Sequence, residues 1–413
     1  VAVLNAGIWS FNRFVSNAPF ARVGPSTWWH NLTHGFAFDP DTFGMNFFSH
    51  PYAGSLYFST ARSSGLGFWT SAPYALGGSL MWELLGENQL PSINDLITTS
   101  SGGVFLGEFL YRMSSQVLDD SATGWSRFWR ETAAFIIDPV REFNRLVSGD
   151  AWRTSTAPGQ IREPMHGTLS LKLNLISESA NLSSLSPSPG AQLDLIYGES
   201  HSDIDARGPF DLLVLNAGLR VDKHLPYLNF NSYALWVGRE YRGGSGQRHL
   251  LGLFQNFDFM KNELIHLGGT SFTGGLMSLF PLGQGFELNT SVQLGILLFG
   301  ASNNRYTLIE QRDYNYGMGA VAKVEAWVTH PRFGRLSLHF DHFQIYTFEQ
   351  AALEADQSHD LFSRFFAYYS LDLWKGAGIR LEYGLFSRHL HFEGQSAYNT
   401  YMSQVAAGLV FSF

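Results

Sequence analysis

From Gly167 to Phe413 successive residues fall alternately on an apolar and a polar face, a period of two that only extended strands carry. In the first such segment Leu169, Leu171, Leu173 and Leu175 share one side, while Ser170, Lys172 and Asn174 share the other. Farther on, Tyr314, Tyr316, Met318, Ala320, Ala322, Val324, Ala326 and Val328 oppose Asn315, Lys323 and Glu325, and Ile379, Leu381, Tyr383 and Leu385 oppose Arg380 and Glu382. About twelve segments read this way, near 167–177, 190–199, 209–220, 229–241, 247–259, 263–279, 284–300, 313–330, 334–348, 360–374, 376–393 and 398–413. Their lengths reach or exceed the roughly 9 to 11 residues with which a tilted strand crosses a bilayer. Soluble strands average only ~5 to 6, which weighs against a soluble sandwich or a lipocalin-like barrel. Lys and Glu on one face are cheap where that face lines a polar lumen, and Leu and Val on the other are favourable against lipid. The pattern therefore predicts an all-β transmembrane barrel of about 12 antiparallel strands, with short turns such as Lys375-Gly376 alternating with longer loops such as Glu349 to His359.

The last segment adds a separate signal. Val405, Ala407, Leu409, Phe411 and the terminal Phe413 lie on one face, which resembles the C-terminal recognition signal of barrels inserted by the outer-membrane assembly machinery. Composition agrees: charged residues are 15% of the chain, against roughly 25% in soluble domains. Aromatic residues also reach 15%, yet the mean hydropathy is only -0.06, as expected when apolar and polar faces alternate. Ser63 to Trp82 is uncharged but contains Pro73 and several Gly and Ser, and reads as a packed helix and loop rather than a membrane-crossing helix. The formal charge of -8 leaves no basic stripe for phosphates and argues against nucleic acid. The absence of cysteine fits an exported chain, and a start at Val1 fits a mature protein after signal-peptide removal. The expected location is the bacterial outer membrane, with its lipids, lipopolysaccharide included, as surroundings and other outer-membrane proteins or lipoproteins as potential partners.

Texture changes near residues 153 to 167, which divides the chain into a mostly helical domain, 1–160, and a barrel, 161–413. The first part contains Asn46-Phe-Phe-Ser-His50-Pro, Trp82-Glu83 with Glu87, Pro91-Ser92-Ile-Asn94-Asp95-Leu, and Gly102-Gly103-Val-Phe-Leu-Gly107-Glu108 followed by Arg112. These segments closely resemble the bacterial envelope family catalogued as domain of unknown function 3943, over roughly residues 28 to 150. The resemblance implies an outer-membrane setting and carries no activity with it.

The residues themselves supply further expectations. Asn46 and His50, Glu83 and Glu87, and Glu108 and Arg112 are each four apart, so on helices each pair shares a face. Pro91-Ser92 followed by Asn94 and Asp95 reads as a helix stop and then a cap. Gly102, Gly103 and Gly107 would let one helix approach another closely. Phe11-Asn12-Arg13 recurs as Phe143-Asn144-Arg145, which predicts two equivalent Asn-Arg anchors. The Trp28-Trp29-His30 cluster suits either a membrane interface or a packed core.

Three chemical readings compete. His50 with Ser92 or Ser49 and Asp95 would supply the nucleophile, base and orienter of a lipid or polymer hydrolase, but no serine stands in a Gly-x-Ser-x-Gly elbow. Glu83, Glu87 and His50 would suit a metal if the fold joined them, whereas Asp39-Pro-Asp41 reads as a solvated turn, lacking the further ligands of a calcium loop. The favoured reading is a buried polar network of Asn46, His50, Arg62, Glu83, Glu87, Asn94, Asp95, Glu108 and Arg112, with the arginines as counter-charges to the carboxylates. No cofactor is called for. The expected function is accordingly a non-catalytic envelope component, either a channel plugged or gated by the N-terminal helices, which lie in the lumen or at its periplasmic mouth, or a scaffold subunit.

Overall fold

The computed structural model describes residues 1–155, 162–179, 185–199, 206–221, 227–303, 314–347, 358–392 and 396–413. The chain divides into two compact units whose sequence boundary falls between Arg162 and Glu163.

Among the described residues the first unit has eight α-helices: α1 Ala2–Phe14, α2 Pro25–Thr33, α3 His50–Arg62, α4 Phe68–Leu85, α5 Ile93–Ile97, α6 Gly103–Val117, α7 Gly124–Ile137 and α8 Pro139–Ser148. Wider π-turns, Met45–Ser49 and Thr98–Gly102, lead into α3 and α6. None of the described helices is long and apolar enough to cross a membrane. The unit is organised around α3 and α6, which touch through glycine. A methyl group added at Gly54 would lie 1.8 Å from the Thr99 carbonyl oxygen, and one at Gly103 would lie 2.5 Å from the Gly54 Cα. The backbones therefore meet with no side chain between them, as the Gly-Gly-x-x-x-Gly spacing predicts. Asn5 donates to the Gly78 carbonyl oxygen and accepts from the Tyr57 hydroxyl, which ties α1 to α3 and α4.

The two Asn-Arg copies are not equivalent anchors. Arg145 is buried and donates to Asp120 and Glu131, and Asn144 donates to Ser63, whereas Arg13 lies over the ring of its neighbour Phe14. The difference comes from α7, which packs against α8 and brings Glu131 to Arg145. Trp29 is exposed, and Trp28 is partly exposed with its indole N–H on the Leu85 carbonyl, so this cluster is not a packed core.

The second unit is a closed barrel of twelve antiparallel strands among the described residues: β1 Met165–Ser177, β2 Ser186–Tyr197, β3 Leu213–Arg220, β4 Tyr227–Arg242, β5 Arg248–Lys261, β6 His266–Gly283, β7 Phe286–Asn303, β8 Tyr314–His330, β9 Gly334–Thr347, β10 Ser358–Trp374, β11 Ala377–Phe392 and β12 Tyr398–Ser412. Each strand pairs with its neighbour in the chain, and β1 closes on β12, with Leu169 opposite Phe411 and Leu175 opposite Val405. A two-residue strand, Ala206–Arg207, adds a rung beside Gly238 and Arg239 of β4. Connections at one end are tight, as at Gly283–Phe286, His330–Gly334 and Trp374–Ala377, while those at the other are mostly longer. In outer-membrane barrels the tight end faces the periplasm.

Leu171, Leu173, Leu276, Leu294, Ile296, Leu381 and Leu409 all point outward and are exposed. Inward-facing charges are paired across strands: Lys172 with Glu382 at 2.9 Å, Lys323 with Asp258 at 2.8 Å, and Arg380 with Asp194 at 2.9 Å. A surface of leucines around a charged interior is stable only if the outside solvent is hydrocarbon. The barrel is therefore of the membrane-spanning, outer-membrane kind. Several boundaries differ from the sequence expectation: β2 already begins at Ser186, the segment from 209 becomes a strand only at Leu213, and the segment from 263 only at His266, because Asn262–Ile265 form a turn that folds into the barrel.

Leu294, 61% exposed near the middle of β7, tests the lipid-facing assignment. Leu294→Arg is expected to destabilise the barrel by about 2–4 kcal/mol, read from urea unfolding in lipid vesicles, whereas a water-facing residue would tolerate the change.

Candidate functional site

Three of the motifs recognised in sequence converge in the helical unit. Asn46 comes from the π-turn before α3, His50 opens α3, Glu83 lies in the last turns of α4, and Ser92, Asn94 and Asp95 start α5. Ser92 caps α5: its hydroxyl accepts the Asp95 N–H at 3.2 Å and donates to Asn94 Oδ1 at 2.9 Å. The Ser92 N–H in turn donates to Glu83 Oε2 at 2.8 Å, fastening the end of α4 to the start of α5. Asn94 is the hub, because its amide nitrogen, with two hydrogens to share, lies 2.7 Å from Asp39 Oδ1, 3.0 Å from Asp95 Oδ1 and 3.1 Å from Asn46 Oδ1.

His50 faces two carboxylates through one ring nitrogen. Its Nε2 lies 2.8 Å from Asp41 Oδ2 and 3.2 Å from Asp95 Oδ1. Asp41 is therefore no solvated turn residue, and Asp39 is engaged by Asn94. Both were missed as site residues because Asp-Pro-Asp imitates a simple turn; the available signal was an Asp-x-Asp placed shortly before the Asn46 and His50 motif. Glu87 lies just beyond α4 and accepts the Trp82 indole N–H at 2.6 Å. The ligand-type atoms nearest His50 thus belong to Asp41 and Asp95 and not to Glu83 and Glu87.

Electrostatically the cluster is one-sided. Burial pushes the Glu83 carboxyl up to about 8, against the Ser92 N–H that opposes the shift, with Glu87, Asp39 and Asp41 adding to it. Burial also raises Glu87, and it holds Asp95 well above the usual carboxylate range, assisted by Asp39, Glu83 and Asp41. The expected arginine counter-charges are elsewhere. Arg62 and Arg112 both donate to Glu108, at 2.8 Å and 2.7 Å, and form a separate buried triad between α3 and α6. The polar network expected from sequence is thus two structures, a compensated Arg-Glu-Arg triad and a His-carboxylate cluster.

The hydrolase arrangement lacks its nucleophile contact. The Ser92 hydroxyl is committed to the cap, and among the described residues no serine hydroxyl bonds to His50.

The barrel unit contains a second candidate site, a cavity of about 880 Å³ inside the lumen. It reaches the tight-turn end at Gly285, Pro331, Gly334 and Phe413, and extends inward to Asn174 and Arg220. One wall carries Lys323, Glu325, His339, Asp341, Arg364 and Arg380; the opposite wall carries Ile196, Leu212, Val214 and Met277. Toward the long-loop end an apolar layer crosses the lumen. Met260, Leu264, Ile265, Val321, Phe343, Phe362, Phe386 and Met402 belong to one buried cluster.

Residues 35–140 match the family model described as Domain of unknown function (DUF3943). The match contains all four motifs on which the resemblance was built. No curated protein matches the chain. Among solved structures, the chain is similar to an outer-membrane channel from Pseudomonas putida F1, with 10% identity, a TM-score of 0.32, and 63% of this chain and 100% of that one covered. It is also similar to the NanC porin, with 8% identity, a TM-score of 0.29, and 58% and 98% covered. The KdgM porin in complex with disordered oligogalacturonate gives 8% identity, a TM-score of 0.27, and 59% and 99% covered.

The triad offers a direct test of its role in the DUF3943 segment. Glu108→Ala leaves Arg62 and Arg112 buried without their carboxylate and is expected to cost the helical unit about 3–5 kcal/mol. The readout is tryptophan-fluorescence unfolding in detergent; a loss within error of zero would show that the triad is not structural.

Proposed function

We propose that this protein is a gated channel of a Gram-negative outer membrane, non-catalytic, and held shut at its outer end by part of its own barrel. The single observation that carries this reading is the inward fold of the turn between β5 and β6. Leu264 and Ile265 are buried in the apolar layer, although they belong to a loop that would otherwise face water. Asn262 shapes the turn by accepting the N–H groups of Leu264 and Ile265 on its side-chain oxygen.

Two arginines hold the turn in place. Arg388, fully buried, donates to the Leu264 carbonyl oxygen at 3.4 Å, to Asn303 Oδ1 at 2.8 Å and to Asp360 at 2.7 Å. Arg220 donates to Glu263 at 2.7 Å. Phe343, Phe362 and Phe386 share the inward face with Asp341, Arg364 and Arg388, by the two-residue period of their strands. They complete a dry layer across an otherwise polar lumen, and hydrophobic constrictions of this kind gate by excluding water. Below the layer, the charged cavity is the vestibule of the closed channel.

In this reading the outward leucines contact outer-membrane lipids, lipopolysaccharide included, and the helical unit is the partner-binding part of the assembly. Full-length protein in planar bilayers is expected to conduct little. Replacing Leu264 and Ile265 together by Ser, or Arg388→Ala alone, is expected to raise mean conductance several-fold, with heat-modifiable migration on gels confirming a folded barrel. Folded variants that conduct no more than the parent would overturn the reading.

A further inference from the structure

The lumen does not account for the His-carboxylate cluster of the helical unit, whose arrangement carries its own chemistry. A neutral imidazole offers a single hydrogen or a single lone pair at Nε2. Here that one atom faces Asp41 Oδ2 at 2.8 Å and Asp95 Oδ1 at 3.2 Å, and the three atoms all lie within 4.8 Å of one another. One hydrogen satisfies one carboxylate well and two poorly. Around a cation with bonds of about 2.1 Å, neighbouring donors of a tetrahedral or octahedral shell stand about 3.0–3.4 Å apart. The two spacings from His50 bracket the lower part of that range, and the two carboxylate oxygens lie within 4.8 Å of each other, so one central ion would draw all three atoms into a single shell.

Burial and second contacts agree. Asp95 is 4% exposed and Glu83 3%. Among the described residues no lysine or arginine pairs with Glu83, Glu87 or Asp95, although buried carboxylates require an opposite charge or a proton. Asn94 bonds both Asp95 and Asp39, orienting the carboxylates as outer-shell partners orient metal ligands. Access lies on the Asp41 side, since Asp41 is 32% exposed at its side chain.

We propose that Asp41, His50 and Asp95 bind one divalent cation of the type that accepts mixed imidazole and carboxylate donors, such as Zn²⁺ or Mn²⁺. The ion joins the segment before the first π-turn, the start of α3 and the start of α5, so its role is to lock these three elements together. The assignment is independent of the channel reading and survives its failure.

The test uses full-length protein in detergent, stripped with a chelator and titrated with zinc chloride by calorimetry. One equivalent is expected to bind, and His50→Ala and Asp95→Asn are each expected to weaken binding about tenfold or more. Asp150→Asn, at an exposed carboxylate paired with Arg153, is expected to change nothing. Because the two buried variants are also at risk of misfolding, Asp41→Asn, outside any helix, is measured beside them with tryptophan fluorescence as a fold check; it too is expected to weaken binding. Undiminished binding in folded Asp41→Asn, or no binding by the parent chain at millimolar zinc, overturns the proposal.

Discussion

Inside a bilayer no water is available for backbone N–H and C=O groups, so every strand of a spanning sheet must find a neighbour on both sides. The pairing of β1 with β12 satisfies the last two open edges, and the rest of the barrel depends on it. Closure fixes one face toward lipid and one toward an enclosed lumen, and from that the sequence pattern follows. Outward leucines gain from hydrocarbon; inward lysines, arginines and carboxylates are kept at low cost where they meet an opposite charge across strands, as Lys323 does Asp258. The same enclosure allows an apolar layer to form inside, since side chains from strands on opposite sides of the barrel reach one another.

Most of the barrel was legible because its determinant is local: a two-residue period needs no knowledge of distant contacts. The outward face of β1, and of β8 from Met318 onward, can be read residue by residue, whereas Tyr314 and Tyr316, read on the same face, are buried beside the register shift at Leu297–Gly300. What escaped was non-local. Leu264 and Ile265 continue the apolar character of a strand, and only the partners supplied by Arg388, Asn303 and Arg220, distant in sequence, turn them inward. The irregularities in register at Leu235–Val237 and Leu297–Gly300 likewise have no clear mark in the pattern.

The helical unit shows the complementary case. Residue types were readable there while pairings were not. Asn46, His50, Glu83, Asn94 and Asp95 stood out as motifs, and they do assemble; yet Arg62 and Arg112 went to Glu108, because Arg112 is one turn beyond it on the same helix and Arg62 projects from the closely packed α3. Two electrostatic regimes thus stand side by side. The triad balances its charge with side chains alone, whereas the cluster around His50 concentrates carboxylates and is completed by Asp39 and Asp41, which the sequence disguises as a turn.

The contact between Gly54 and Gly103 determines how that cluster can change shape. With backbone against backbone, α3 and α6 have no side chain that could rotate to make room, and the π-turns at their starts share this contact. His50 and Asp95 are anchored on the two sides of that joint and behave as parts of a single rigid bracket. The side left open to an entering ion is the irregular stretch that carries Asp39 and Asp41, where Asp41 keeps 32% of its side chain exposed.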